Sequence, residues 1–172
     1  MDKFNVTLKM EGLQTNAADL SSTTDTLNQT WTQKFTEGTA VNKIDRFYSD
    51  SFSIAANTAS NIDLAGSLTH VFGATVAAAR LKFLAIRHKT ASADDVSQIG
   101  GHATAALLLM GSVEGLDTDQ PYWFLRQGGM FMVTAPDATA YVVNAGTEDI
   151  LRIYNDASAS VDYDLVIGYS LT

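Results

Sequence analysis

Phe4, Val6, Leu8 and Met10 alternate with Asn5, Thr7, Lys9 and Glu11 as far as Gly12. An apolar side chain at every second position falls on one face of an extended chain, so this stretch predicts a half-buried β-strand. Residues 13 to 26 then turn polar, through Thr-Asn-Ala-Ala-Asp and Ser-Ser-Thr-Thr-Asp, and are expected as a loop or mobile arm. From Leu27 the odd positions read Leu, Gln, Trp, Gln, Phe. That period puts Leu27, Trp31 and Phe35 on one face of a second extended segment, closed by Glu37-Gly38.

Residues 44 to 65 predict a hairpin-like pair of strands, Ile44 to Ile54 and Asn61 to Leu64, parted by a turn at Asn57-Thr58-Ala59-Ser60. The glycine-bounded stretch from Gly66 to Gly73 is too short for a long helix and predicts a 3₁₀ turn or tight loop. From Arg80 to His88, Leu81, Phe83 and Ala85 point one way and Leu84 and Ile86 the other, as in a central strand with apolar residues on both faces. Val96 to Met110 ends in a continuous apolar run and is expected as strand. Pro121 then restarts extended structure through Tyr122-Trp123-Phe124-Leu125, at the strand position where its missing N–H does least harm.

The C-terminal third carries four short β-rich segments at near-regular spacing, around residues 128–134, 141–144, 150–155 and 163–168, divided by Ala-Pro-Asp, Ala-Gly-Thr and Asn-Asp-Ala-Ser breaks. Such spacing is the sequence signature of an antiparallel sandwich. The expected fold is therefore all-β, an antiparallel β-sandwich of jelly-roll type with nine or ten strands and little helix. An N-terminal strand and arm segment over residues 1–43 leads into a sandwich over 44–172.

Composition narrows the function classes. Charged residues are only 17% of the chain, so the surface must be solvated by Thr, Ser, Asn and Gln. The net charge of -8 repels phosphate backbones, and the densest basic spot, Arg80, Lys82, Arg87 and Lys89, is spread along one strand, which argues against nucleic-acid binding. With no cysteine there are no disulfides and no thiolate metal sites. The N-terminus shows neither a basic nor an apolar leader region and no run approaches membrane-spanning length, so a soluble chain made in the cytosol with no membrane partner is expected.

No catalytic motif occurs. His70, His88 and His102 share no metal-ligand spacing. Glu114, Asp117 and Asp119 offer oxygen ligands in one loop, but not in the twelve-residue register of a calcium hand, and read as a solvated acidic loop. Asp162 and Asp164 share a strand face and are expected to be exposed. Gly100-Gly101 and Gly128-Gly129 precede strands as turn glycines rather than phosphate cradles. A non-enzymatic chain without cofactor or metal is the expectation. The aromatic residues Trp31, Phe35, Tyr122 and Trp123 stand out as candidates for an interface or a sugar-stacking surface, with the core as the competing destination for Trp123.

Several stretches together resemble a known group: Gly38-Thr39-Ala40-Val41-Asn42-Lys43-Ile44-Asp45, Asn61 through Thr69, Phe72-Gly73-Ala74-Thr75-Val76 and Arg80 through Ile86, with the Gly128-Gly129 turn and the closing strands from Asp149 to Gly168. Their strand and turn phrasing resembles small structural proteins of tailed bacteriophages, the capsid decoration or cement proteins. Residues 1–30 lie outside the likeness. It transfers no catalytic residue. It implies a virion component on the outer capsid surface, a homotrimer whose partners are the major capsid protein and its own copies. A tail or fibre component, or a carbohydrate-binding jelly-roll module, are the alternatives.

Overall fold

A computed structural model describes residues 3–18, 21–69, 73–89, 96–101, 105–109 and 122–172. Within them the chain is all-β and mainly antiparallel, with no helix. Its strands are β1 (Lys3–Ala18), β2 (Ser21–Glu37), β3 (Lys43–Ile44), β4 (Arg46–Ile54), β5 (Thr58–Asp63), β6 (Arg80–His88), β7 (Val96–Gly100), β8 (Tyr122–Arg126), β9 (Met130–Thr134), β10 (Tyr141–Val142), β11 (Ile150–Asn155) and β12 (Val161–Ser170). These twelve exceed the expected nine or ten, because two-residue pairings such as β3 carry no readable periodicity.

The strands form three sheets. β1 and β2 pair along their whole length, from Lys3 opposite Thr36 to Ala18 opposite Ser21, with β3 added in parallel at Thr36 and Glu37. A second sheet runs β10-β6-β12-β4, with β9 beside β10 on the same flank of β6, and a third runs β5-β11-β7-β8. The inner faces of the second and third sheets share one core, in which Leu84, Ile86, Leu165 and Ile167 cluster with Ile62, Ile99, Leu151 and Ile153. Each such side chain contributes about 1.5–3 kcal/mol by leaving water.

Three expectations are corrected. The polar stretch 13–26 is strand at all of its described residues, not loop. Its two faces are both exposed, so no hydrophobic alternation marks it, while β-branched threonines suit a pleated ribbon and pair across it, as Thr7 does with Thr32. β4 and β5 are not a hairpin. β4 lies in the second sheet and β5 in the third, and the turn at Ala55-Ala56-Asn57 is a corner between sheets, with Asn57 at φ 52°. The strand expected over 96–110 stops at Gly100, and Ala106 makes only an isolated bridge to Ile150. Of the Gly66 to Gly73 turn, residues 70–72 lie outside the described residues.

The corner is fixed by one buried side chain. Asn155 Nδ2 donates to the carbonyls of Ile54 (3.0 Å), Ala55 (3.1 Å) and Ala159 (2.8 Å), and its Oδ1 accepts from the Ala157 amide at 2.9 Å. Asn155 thus joins the end of β4 to the β11–β12 turn.

Candidate interaction surface

The root of the β1–β2 ribbon is built on the outer face of the second sheet. Pairing there places Gly168 of β12 between Phe83 of β6 and Phe47 of β4. The missing side chain leaves a slot, and Ile44 fills it: a Cβ on Gly168 would stand 3.1 Å from Ile44 Cδ1 and 3.3 Å from Phe83 Cβ. Over this slot lies Phe4, its ring 5.3 Å from Phe83, 6.0 Å from Phe47 and 6.2 Å from Phe35. Offset and tilted rings at such spacings attract beyond their buried area.

A β-bulge fastens the same root. The β6–β12 register shifts between Gly168, opposite Phe83, and Tyr169, opposite Leu81, so Lys82 is the extra residue on β6. The shift swings Leu81 into the core with Leu84 and Ile86, away from the face it was expected to share with Phe83 and Ala85. It also aims Lys82 sideways, where its ammonium, 0% exposed, donates to the carbonyls of Thr39 (3.0 Å), Ala40 (3.1 Å) and Asp137 (2.7 Å). Burial pulls the Lys82 pKa below its ordinary value, opposed by the nearby Asp137 charge.

Two loops meet at this ammonium. The 38–42 loop is tied to the β9–β10 loop by the Asn42 amide on the Pro136 carbonyl at 2.7 Å, and to β2 by Gln33 Nε2 on Asn42 Oδ1 at 2.8 Å. Asp137 orders the β9–β10 loop. Its Oδ1 accepts from the Thr139 hydroxyl and from the amides of Thr139 (2.9 Å) and Ala140 (2.7 Å), holding Ala140 at φ 47°. Those bonds, the Thr139 hydroxyl first, keep the Asp137 carboxyl below the usual carboxylate range.

Past its root the ribbon pairs with no other strand of the described chain. Of the twenty residues 8–16 and 21–31, nineteen are exposed and Met10 is half-buried. Cross-strand register puts Leu8 opposite Trp31 and Gly12 opposite Leu27, so Val6, Leu8, Met10, Leu27 and Trp31 continue the face on which Phe4 and Phe35 lie. The other face carries Thr7, Lys9, Glu11, Asn28 and Thr30, with Lys9 and Glu11 paired at 2.8 Å. Where the apolar face leaves the body it lines a groove of about 230 Å³ with Met132 and Thr134 of β9.

The expected site residues separate. Trp31 is 62% exposed on the ribbon. Phe35 is corrected: it is 0% exposed, because at the root the apolar face is already covered by Phe4, and it offers no outer surface. In β8, Trp123 faces inward at the open edge of the third sheet, 51% exposed with its ring 6.1 Å from Phe131 of β9. Tyr122 and Phe124 lie on the outer face, 5.3 Å apart edge to face, and Phe124 is 61% exposed. Phe4, Lys82 and Gly168 were not singled out from sequence. A lone lysine in an apolar run and a glycine inside a strand were the available signals.

The remaining titratable candidates do not gather. His88 is buried with its ring 5.4 Å from Tyr163, while His70, His102 and the loop of Glu114, Asp117 and Asp119 lie outside the described residues. No metal-holding group of three His, Asp or Glu occurs among the described residues. Asp162 is exposed as expected, whereas Asp164 is half-buried, accepting from Ser51 Oγ at 2.6 Å and pairing with Lys89 at 3.1 Å.

Comparison with known proteins finds no matching family model, no matching curated protein and no matching solved structure.

Proposed function

We propose that this chain is a structural, non-catalytic component of an assembled particle: a decoration protein on the outer face of a bacteriophage head, bound to the shell protein and to its own copies. The observation that carries this reading is the exposed ribbon of residues 8–16 and 21–31. An isolated two-stranded ribbon is marginal in water and its free edges invite pairing, so a protein that keeps one is equipped to bind. Further support comes from the net charge of -8, which disfavours contact with packaged nucleic acid.

The fold reading extends to a jelly roll. Sheet orders β4-β12-β6-β9 and β5-β11-β7-β8 are those produced when eight strands wind as two Greek keys, an architecture used by capsid and lectin domains. Isolation of the native particle containing this chain, followed by electron microscopy, tests the function. Density for the sandwich on the outer shell is expected. Recovery of the chain only as a free species, apart from any particle, overturns it, and density on a tail or fibre moves the site of action.

A glycan-binding reading is favoured by one feature, the outer face of the third sheet. There Tyr122 and Phe124 lie beside Gln98, and Arg152 sits 5.1 Å from the Tyr154 ring. Aromatic faces flanked by polar side chains are suited to stacking on sugars. A glycan screen in which Phe124→Ala abolishes a hit would establish it.

A further inference from the structure

We infer that the ribbon of one copy docks on the outer face of β9 in a second copy, its apolar face covering Met130 and Met132 there. The inference rests on the assembly reading above and names the partner of its ribbon.

Continuity is the first argument. The stripe that begins with Phe4 and Phe35 is covered at the root by this chain's own second sheet, and it runs on through the half-buried Met10 to the exposed Leu8, Leu27 and Trp31. A surface of the same kind as the one already seated on a body of this type is thus offered outward.

Reach is the second. From Leu8 to Ala18 the ribbon extends about 35 Å at roughly 3.3 Å per residue. A body formed by residues 38–172 has a radius of gyration of about 14 Å and is roughly 36 Å across. The ribbon therefore spans one neighbouring body.

The acceptor lies on the same chain. Met130 and Met132 are both exposed on the outer face of β9, Met132 beside the groove that the chain's own ribbon lines and Met130, 64% exposed, outside it. Aromatic residues and methionine are the types enriched at interface cores, and methionine adapts its shape to a partner.

A projecting element on one copy and its acceptor on the next make a head-to-tail contact, which closes into a ring or continues as a filament. Light scattering should give a mass that is a multiple of the 18.5 kDa chain. A variant with residues 8–31 replaced by an Asn-Gly turn, and still melting cooperatively, should fall to a single chain. Because the chain has no cysteine, Leu27→Cys and Met130→Cys can be placed in separate copies, mixed and oxidised. A crosslink requiring both variants is expected. A monomeric full-length chain, an oligomer that survives loss of the ribbon, or crosslinking of Leu27→Cys to itself alone overturns the inference. A monomer that still binds its particle overturns this docking and leaves the assembly function standing; an oligomer that never enters a particle does the reverse.

Discussion

Ile44 occupies the space that a side chain on Gly168 would need, its Cδ1 standing 3.1 Å from the position of a Cβ there. The close approach lets the segment after the ribbon lie flat on the second sheet, with Phe4 stacked beside it over Phe83 and Phe47. Gly168→Ala should force Ile44 and Phe83 apart and cost about 1–3 kcal/mol, the usual range for overpacking. Gly168→Val should cost more. Urea unfolding checks both. If Gly168→Ala costs less in an Ile44→Ala background than in the parent, the clash is the cause; equal midpoints for Gly168→Ala and the parent would refute it.

Lys82 is the second fastening, and its loss should be felt at the root rather than throughout the sandwich. Lys82→Met keeps the stem and removes the donor to the Thr39, Ala40 and Asp137 carbonyls. Hydrogen bonds from a charged group are worth about 1.5–3 kcal/mol, and three are lost here although the Ala40 carbonyl keeps the Lys43 amide, so a total of about 3 kcal/mol is expected. Hydrogen exchange gives the location. The Asn42 amide, held on the Pro136 carbonyl, should lose protection while Ile167 and Ile153 in the core strands keep theirs. Uniform loss across both would assign Lys82 to global stability instead.

These two residues also show what the sequence could disclose. The alternation at Phe4, Val6, Leu8 and Met10 and the spaced C-terminal segments were legible because a half-buried strand repeats every two residues. The ribbon beyond Met10 was not, since a strand exposed on both faces has no reason to alternate. Leu81 was assigned to the wrong face because the bulge at Lys82 reverses parity, and nothing local to Arg80–His88 announces a bulge specified by the partner strand β12. Trp31 was legible as an exposed aromatic among polar neighbours. Phe35 shares its period, and only the tertiary position of Phe4 tells that the stripe is covered at one end.

Acid should loosen the root before the core. The Asp137 carboxyl lies below its ordinary value, through the Thr139 hydroxyl first and then the Ala140 amide. A carboxylate depressed in the folded state contributes stability in full above its unfolded pKa of about 3.9, and loses it as pH falls through the lower folded value. Asp164, held down by Ser51 and then Lys89, acts in the same direction. The denaturation midpoint should therefore fall as pH is lowered below about 4, and Asp137→Asn, which keeps an acceptor but cannot titrate, should flatten part of that fall. Superimposable acid limbs for parent and variant would exclude Asp137 as a contributor.

The sandwich closes at a single amide, and this gives the test of how its two sheets are joined. Asn155 is fully buried, and its four bonds span from Ile54 and Ala55 at the end of β4 to Ala157 and Ala159 in the β11–β12 turn. Asn155→Ala removes the donor to three carbonyls and the acceptor of one amide; the Ile54 and Ala55 carbonyls keep the Ser160 and Thr58 hydroxyls, so the Ala159 carbonyl and the Ala157 amide are left to find partners, at about 1–3 kcal/mol for each that fails. Relaxation of the turn recovers some, so a net loss of about 2–4 kcal/mol is expected. Asn155→Asp separates shape from hydrogen bonding: it retains the Ala157 contact but turns an acceptor toward the Ile54, Ala55 and Ala159 carbonyls. It should destabilise at least as much as alanine at neutral pH and recover as acid protonates the new carboxyl, the opposite of the acid response of Asp137. Denaturant titrations of the three proteins at neutral and acid pH distinguish these outcomes, and an Asn155→Asp variant as stable as the parent at neutral pH would show that the corner is held without the Asn155 amide, by contacts such as the Asn57 amide on the Ala157 carbonyl at 3.2 Å.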